Sequence, residues 1–189
     1  MKLRPKTSTP QRTSINLAYD IETDGLDCDH IHCVVTQDLD TGLVTEYNDQ
    51  ATPNYSVVNA VNDLETAHNI ISHNGIMFDI PQIKKHFSFF EGKANHWDTL
   101  ILSRFFHPDL LDIDLRRKWP YMPARLYGSH SLEAYGYRLG EYKGSFGQTT
   151  DWSEWSQEME DYCVQDVKVT TKLWNHFQKY LTGSHSNTR

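Results

Sequence analysis

Asp20 and Glu22 lie two residues apart in the stretch Asn16-Leu17-Ala18-Tyr19-Asp20-Ile21-Glu22-Thr23. In an extended chain residues i and i+2 project to one face, so both carboxylates point the same way at the end of a buried strand while Ile21 points into a core. Two like charges that close repel each other and lose hydration unless a cation sits between them. Hard oxygen ligands of this kind suit Mg²⁺ or Mn²⁺.

Two further acidic groups follow in the chain order that a two-metal nuclease needs. Asp79 closes the string His73-Asn74-Gly75-Ile76-Met77-Phe78-Asp79 and opens a helix directly after a strand. Asp166 follows Tyr162 at i+4 in Tyr162-Cys163-Val164-Gln165-Asp166, so the two share a helical face. Each has an ordinary reading by itself: a helix cap for Asp79, a solvated helix residue for Asp166, turn decoration for the Asp20/Glu22 pair. Their joint occurrence, each at the edge of the element required, favours the metal reading.

The elements that must position these residues follow from periodicity. Ile15–Asp20, Ile31–Gln37 and Leu43–Tyr47 read as strands, with Asp40-Thr41-Gly42 turning between the second and third, and together they predict an antiparallel meander. Val57, Val58, Val61 and Leu64 fall at helical spacing before a fourth strand, Asn69–His73, which makes a crossover unit. A helix from about Asp79 to Phe87, a short strand at His96–Asp98 and a helix over Thr99–Phe106 come next. Ser131–Leu139 reads as a helix capped by Ser129 or Ser131 and ended by Gly140. Residues 145–150 read as a polar linker. A long helix over about Ser153–Leu181 has Met159, Tyr162, Val169 and Leu173 as candidate core positions.

Pro108, Pro120 and Pro123 make Leu115–Gly128 a loop. In it Arg116, Arg117, Lys118 and Arg125 alternate with Trp119, Tyr121 and Tyr127, with no acid between them. The pattern suits a groove for single-stranded nucleic acid, where cations meet phosphates and rings stack on bases. It equally suits a surface loop whose aromatics pack down on the body. Cys28, His30, His32 and Cys33 are too close together on one turn and strand to converge tetrahedrally on zinc. His130 reads as a structural or capping histidine rather than a general base.

The chain of 189 residues suffices for one domain with a sizeable core. No apolar run approaches the length of a membrane helix, and no membrane association is expected. Three cysteines without a C-x-x-C pair make a reducing compartment the default. A formal net charge of -7 argues against a broad basic surface that coats duplex nucleic acid. Residues 1–14 carry Lys2, Arg4, Lys6 and Arg12 with no acid, which predicts a disordered basic arm; residues 183–189 read as a polar tail.

Asp20-Ile21-Glu22-Thr23, Asn74-x-x-x-Phe78-Asp79 and Tyr162-x-x-x-Asp166 resemble the three exonuclease motifs of the DEDD superfamily, in the DnaQ-like subclass with tyrosine in the third motif. Asp98–Arg104, Gly128–Glu141 and Val164–Val167 extend the resemblance to the proofreading domain of family A polymerases from short-tailed phages. It covers about Ile15 to Leu181. The segment after Tyr142 is shorter than in those polymerases and no polymerase domain follows, so a free-standing exonuclease or a domain cut from a longer protein is expected.

The resemblance implies an α/β, ribonuclease H-like fold: a mixed five-stranded sheet, antiparallel meander plus parallel strands, flanked by helices in one exonuclease domain over residues 15–182. It further implies that Asp20 bridges two Mg²⁺ or Mn²⁺ ions, that Glu22 and Asp166 hold the ion that binds the attacking water, that Asp79 supports the other, and that Tyr162 orients the water. Leu26 matches an apolar wedge beside the terminal base, although an ordinary turn leucine fits too; Thr23 and Asn74 match contacts to the terminal nucleotide. Arg116, Arg117 and Lys118 complete the expected substrate contacts. The implied activity is release of nucleoside 5′-monophosphates from 3′ ends of single-stranded or frayed DNA, with a separate polymerase or replication protein as partner, in the cytoplasm of a phage-infected bacterial host. An RNA 3′-end exoribonuclease and a non-catalytic nucleic-acid-binding module are the competing readings.

Overall fold

The computed structural model describes residues 14–50, 55–141 and 151–183. The predicted basic arm, the linker at 145–150 and the polar tail lie wholly or almost wholly outside them.

Five strands form one sheet. β1 (Asn16–Thr23) sits at its centre, with β2 (Ile31–Asp38) and β3 (Val44–Asn48) added antiparallel on one side. β4 (Asn69–Ser72) and β5 (Asn95–Asp98) lie parallel to β1 on the other, giving the order β3-β2-β1-β4-β5. The expected meander and crossover are therefore present. The register Asp20↔Val35 and Glu22↔Cys33 carries pairing beyond Asp20. Both carboxylates thus lie within the strand rather than past its end, and the ladder breaks only between Glu22 and Thr23.

Alternation along β1 divides the core. Leu17, Tyr19 and Ile21 face α1 (Val57–Thr66) and α2 (Asp79–His86), where Val61, Leu64 and Ile83 are fully buried. Ala18 faces the opposite way, with Cys33, Val35 and Ile71, against Cys163 and Val167 of α6 (Gln157–Leu181). Asp20 and Glu22, in phase with Ala18, share that second face.

α6 starts at Gln157, not near Ser153, because Ser156 is the cap: its hydroxyl accepts from Met159 N at 3.2 Å. Its other flank, Val169, Leu173 and Phe177, packs on α3 (Thr99–Phe106), α4 (Leu110–Arg117) and α5 (Leu132–Leu139). α4 corrects the loop expected at Leu115–Gly128. Leu110 and Ile113 fall on one face and pack inward, and the prolines at 108 and 120 stand outside the helix rather than within it. A single 3₁₀ turn over Ala124–Leu126 follows, so only the remainder of that stretch is irregular.

Ser131 caps α5 by accepting from Ala134 N, and Gly140 ends it at φ 71°, as the sequence predicts. Buried Glu160 accepts both of its hydrogen bonds from Asn48 Nδ2, at 2.8 and 2.9 Å, tying α6 to β3. Among the described residues no helix is long and apolar enough to cross a membrane.

Candidate active site

The carboxyl ends of β1, β4 and β5 lie at one edge of the sheet because these strands are parallel. Open α/β sheets bind ligands at such an edge. β1 delivers Asp20 and Glu22 there; β4 delivers His73 and Asn74; β5 delivers Asp98.

Asn74 adopts a left-handed backbone, φ 69°, and its N–H donates to Asp98 Oδ1 at 2.9 Å. Next to it, a Cβ on Gly75 would stand 2.0 Å from Ser72 Oγ, so only glycine lets the chain pass the end of β4 this closely. Ile80 N then donates to Gly75 O, which launches α2 with Asp79 in its first turn. Asp79 is therefore the first helical residue and not the cap.

Asp79 is 4% exposed, and its Oδ1 is buried with no hydrogen-bond partner among the described residues. Burial first, and then the negative charge of Asp20, push its carboxyl well above the usual carboxylate range. A buried acid held beside another acid is a pair that a divalent cation could stabilise.

From the other face, α6 lowers Tyr162, Cys163 and Asp166 onto β1. Oxygen atoms of Asp20 and Glu22 and the sulfur of Cys163 lie within 4.8 Å of one another, and the thiol donates to Asp20 Oδ2 at 3.8 Å. Cys163 is fully buried, and burial, together with Cys33 and the two carboxylates, drives its pKa well up. It therefore acts as a thiol that orients Asp20, not as a thiolate ligand. Nothing local in the sequence signals this contact, which joins residues 143 positions apart.

Tyr162 is half-buried rather than a core residue. Burial, then Glu22 and Asp20, raise its phenol to about 12, so the hydroxyl stays protonated at neutral pH. Trp152 meets its ring edge-on at 6.2 Å.

Tyr162 and Asp166 line a cleft of about 610 Å³ together with His73, Asn74, Arg104 and His130. His130 has the structural bond expected of it, Nδ1 to Ser103 Oγ at 2.6 Å, yet it also faces the cleft. Arg104 and His73 are cleft residues that sequence reasoning missed. Both stand inside motif-bearing stretches, and that position was their only signal.

Thr23 is buried, its hydroxyl donating to Gly25 O. Leu26 is 85% exposed on a loop clamped by Asp24, which accepts from Asp29 N and His30 N, and by Lys85 of α2, which donates to Asp27 O and Cys28 O. Cys28, His32 and Cys33 diverge, toward His86, Trp152 and Cys163 respectively. Arg116 and Arg117 stand apart from the cleft and line a different cavity, while exposed Lys118 ends α4 at φ 49°.

The chain is similar to known proteins. Residues 17–178 match RNase_H_2, a family model of the RNase H superfamily. The chain is 32% identical over 195 residues to the DNA-directed DNA polymerase of Escherichia phage T7, covering 89% of this chain and 27% of that protein. The DNA-directed DNA polymerase of Enterobacteria phage T3 matches with the same identity and coverage. The chain thus spans about a quarter of the length of these relatives. Among solved structures, one described as the apo form of the nuclease superposes with a TM-score of 0.59 at 23% identity, over 89% of this chain and 74% of that one. The EXO domain of Aedes aegypti Nibbler superposes with a TM-score of 0.54 at 12% identity, over 91% and 86%.

Proposed function

The chain belongs to the RNase H superfamily, and on that footing we propose that it is a 3′-to-5′ exonuclease that hydrolyses phosphodiester bonds at the 3′ ends of single-stranded or frayed DNA. The observation that carries this reading is the convergence of Asp20 and Glu22 with Cys163 and Tyr162 of α6 and with buried Asp79 of α2. DNA is preferred over RNA because both curated relatives are DNA polymerases.

The donor set fits hard divalent cations: carboxylates, one of them buried and short of a hydrogen bond among the described residues, with the adjacent Cys163 thiol kept protonated. Asp20, Glu22, Asp79 and Asp166 would hold two Mg²⁺ or Mn²⁺ ions, which supply Lewis-acid stabilisation of both the entering and leaving oxygens. The residues themselves do the positioning. Tyr162 keeps its proton and can orient the attacking water by hydrogen bonding. Asn74, held by Asp98, presents its side chain to the terminal nucleotide, and Thr23 lies at the start of the loop that carries Leu26. Leu26 wedges against the terminal base, so that only an unpaired end enters. The leaving group is the shortened strand, and the product is a nucleoside 5′-monophosphate.

On this reading residues 15–182 form one exonuclease domain, which works beside a polymerase or replication protein in the cytoplasm of a bacterial host. The test is Mg²⁺-dependent release of mononucleotides from 3′-labelled single strands, with matched DNA and RNA oligonucleotides. Asp20→Ala and Asp166→Ala should abolish release. Full activity in either variant would overturn the mechanism, and equal turnover of RNA would overturn the DNA preference.

A further inference from the structure

A second cavity, of about 460 Å³, opens where α3, α4, α5 and α6 meet, and it shares no lining residue with the cleft. That volume is in the range of small-ligand sites. Its apolar wall is Leu110, Ile113, Tyr135 and Leu139. Around this wall stand Arg116, Arg117, Arg138 and Lys179, and no carboxylate lines it among the described residues.

The charge of Arg138 is already matched. Its guanidinium donates to Asp114 at 3.0 and 2.6 Å, with side chains 4% and 0% exposed. Arg116, Arg117 and Lys179 have no such partner among the described residues, and all three are exposed. Two imidazoles complete the wall, His107 and His176, their Nε2 atoms 2.8 Å apart. Facing imidazole nitrogens suit a transition metal, but among the described residues no third ligand gathers there, and the Lys179 ammonium lies close to both rings. Burial and the charge of Lys179 hold both rings below their ordinary pKa, His176 at about 4, as expected where positive charge is in excess. The cavity therefore favours an anion.

Its rings narrow the anion further. The guanidinium of Arg117 lies over Trp119 at 5.1 Å and the ammonium of Lys179 over Tyr180 at 4.8 Å, while stacking on Phe106 at 4.9 Å and 17° holds the Tyr180 ring in place. Guanidinium groups bind phosphate bidentately, and aromatic platforms stack bases. A bare phosphate would leave the apolar wall unused. We infer that this cavity is a second nucleotide site, separate from the cleft, in which Arg116, Arg117 and Lys179 bind a phosphate, the exposed Arg117 and Lys179 side chains swinging off the faces of Trp119 and Tyr180 so that those rings receive the base.

The occupant is either a free mononucleotide or one nucleotide within a single strand, and binding in EDTA, where the proposed hydrolysis cannot proceed, separates these. The full chain is titrated calorimetrically with dTMP, thymidine, inorganic phosphate and hexathymidylate. Arg116→Glu/Arg117→Glu and, on a different helix, Lys179→Glu should each weaken dTMP or hexamer binding about tenfold or more. Arg116→Lys/Arg117→Lys should restore part of it, and Asp20→Asn should leave that component of binding in place. Saturable dTMP binding identifies a free nucleotide as occupant; hexamer binding without dTMP binding identifies a strand. Two results overturn the site: charge-reversed variants with unchanged melting temperature that bind both ligands as the wild type does, or phosphate binding as tight as dTMP binding. A chain that keeps this binding but never hydrolyses DNA would remove the exonuclease reading and leave this one intact.

Discussion

Asp98 Oδ1 holds the backbone N–H of Asn74 at 2.9 Å while the same carboxylate caps α3, accepting from Leu100 N at 2.9 Å. Its Oδ2 takes Ile76 N at 3.3 Å. One buried side chain at the end of β5 thereby sets both a helix start and the left-handed turn that precedes Asp79. Asp98→Ala removes charge-assisted hydrogen bonds and a cap, and is expected to cost about 2 kcal/mol or more in urea denaturation. Asp98→Asn keeps an acceptor at the cap and should cost less. If turnover falls further than stability in both variants, Asp98 acts by positioning Asn74 and Asp79.

On the proposed two-cation reading the fold should be metal-responsive. Mn²⁺ at about 100 times its Kd should stabilise the wild type by about 2.7 kcal/mol, read as a rise in melting temperature over EDTA. In Asp20→Asn that rise should shrink, while melting in EDTA should match or exceed the wild type, because the repulsion felt by Asp79 is relieved. An unchanged Mn²⁺ response would remove Asp20 from the cation site.

Leu26 contributes little to folding, since it is 85% exposed. Leu26→Ala should change stability by no more than about 0.5 kcal/mol. Digestion of frayed duplex ends should fall relative to digestion of a free single strand. A uniform loss on both substrates would argue against a wedge.

The pair Asp114–Arg138 ties α4 to α5. Burial opposes ionisation of Asp114, but hydrogen bonds from Arg138, Gly128 N and Trp119, together with the guanidinium charge, hold its carboxyl below the usual range. Removing one partner of a buried pair typically costs about 3–5 kcal/mol, which is the expectation for Asp114→Ala at pH 7. A lowered folded-state pKa contributes stability that is present above the ordinary value of 3.8 and lost as pH falls through the folded value. The gap between wild type and variant should therefore narrow on acidification below that point.

The strands and the acid pair on β1 were legible because alternation and apolar runs are local signals, and Ser131 with Gly140 marked α5 at both ends. α4 was hidden because Pro108 and Pro120 dominate the reading of a helix only eight residues long. The start of α6 was misjudged because Ser153 and Ser156 are equally good caps on paper; packing of Met159, which is fully buried, selects Ser156. Cys163 beside Asp20, His107 against His176, and the separation of Arg116 and Arg117 from the cleft are all products of how α6 and the α3–α5 layer come together. Contacts between elements so far apart in the chain leave no periodic trace.

That same separation has a consequence for the life of the chain. Asp20 and Glu22 emerge from synthesis well before Tyr162, Cys163 and Asp166, which lie on the helix that packs over β1. Synthesis proceeds N-terminal first, and contacts of high sequence separation form late. On the proposed mechanism the site stays incomplete until α6 has docked on β1, so that docking of this helix would gate hydrolysis.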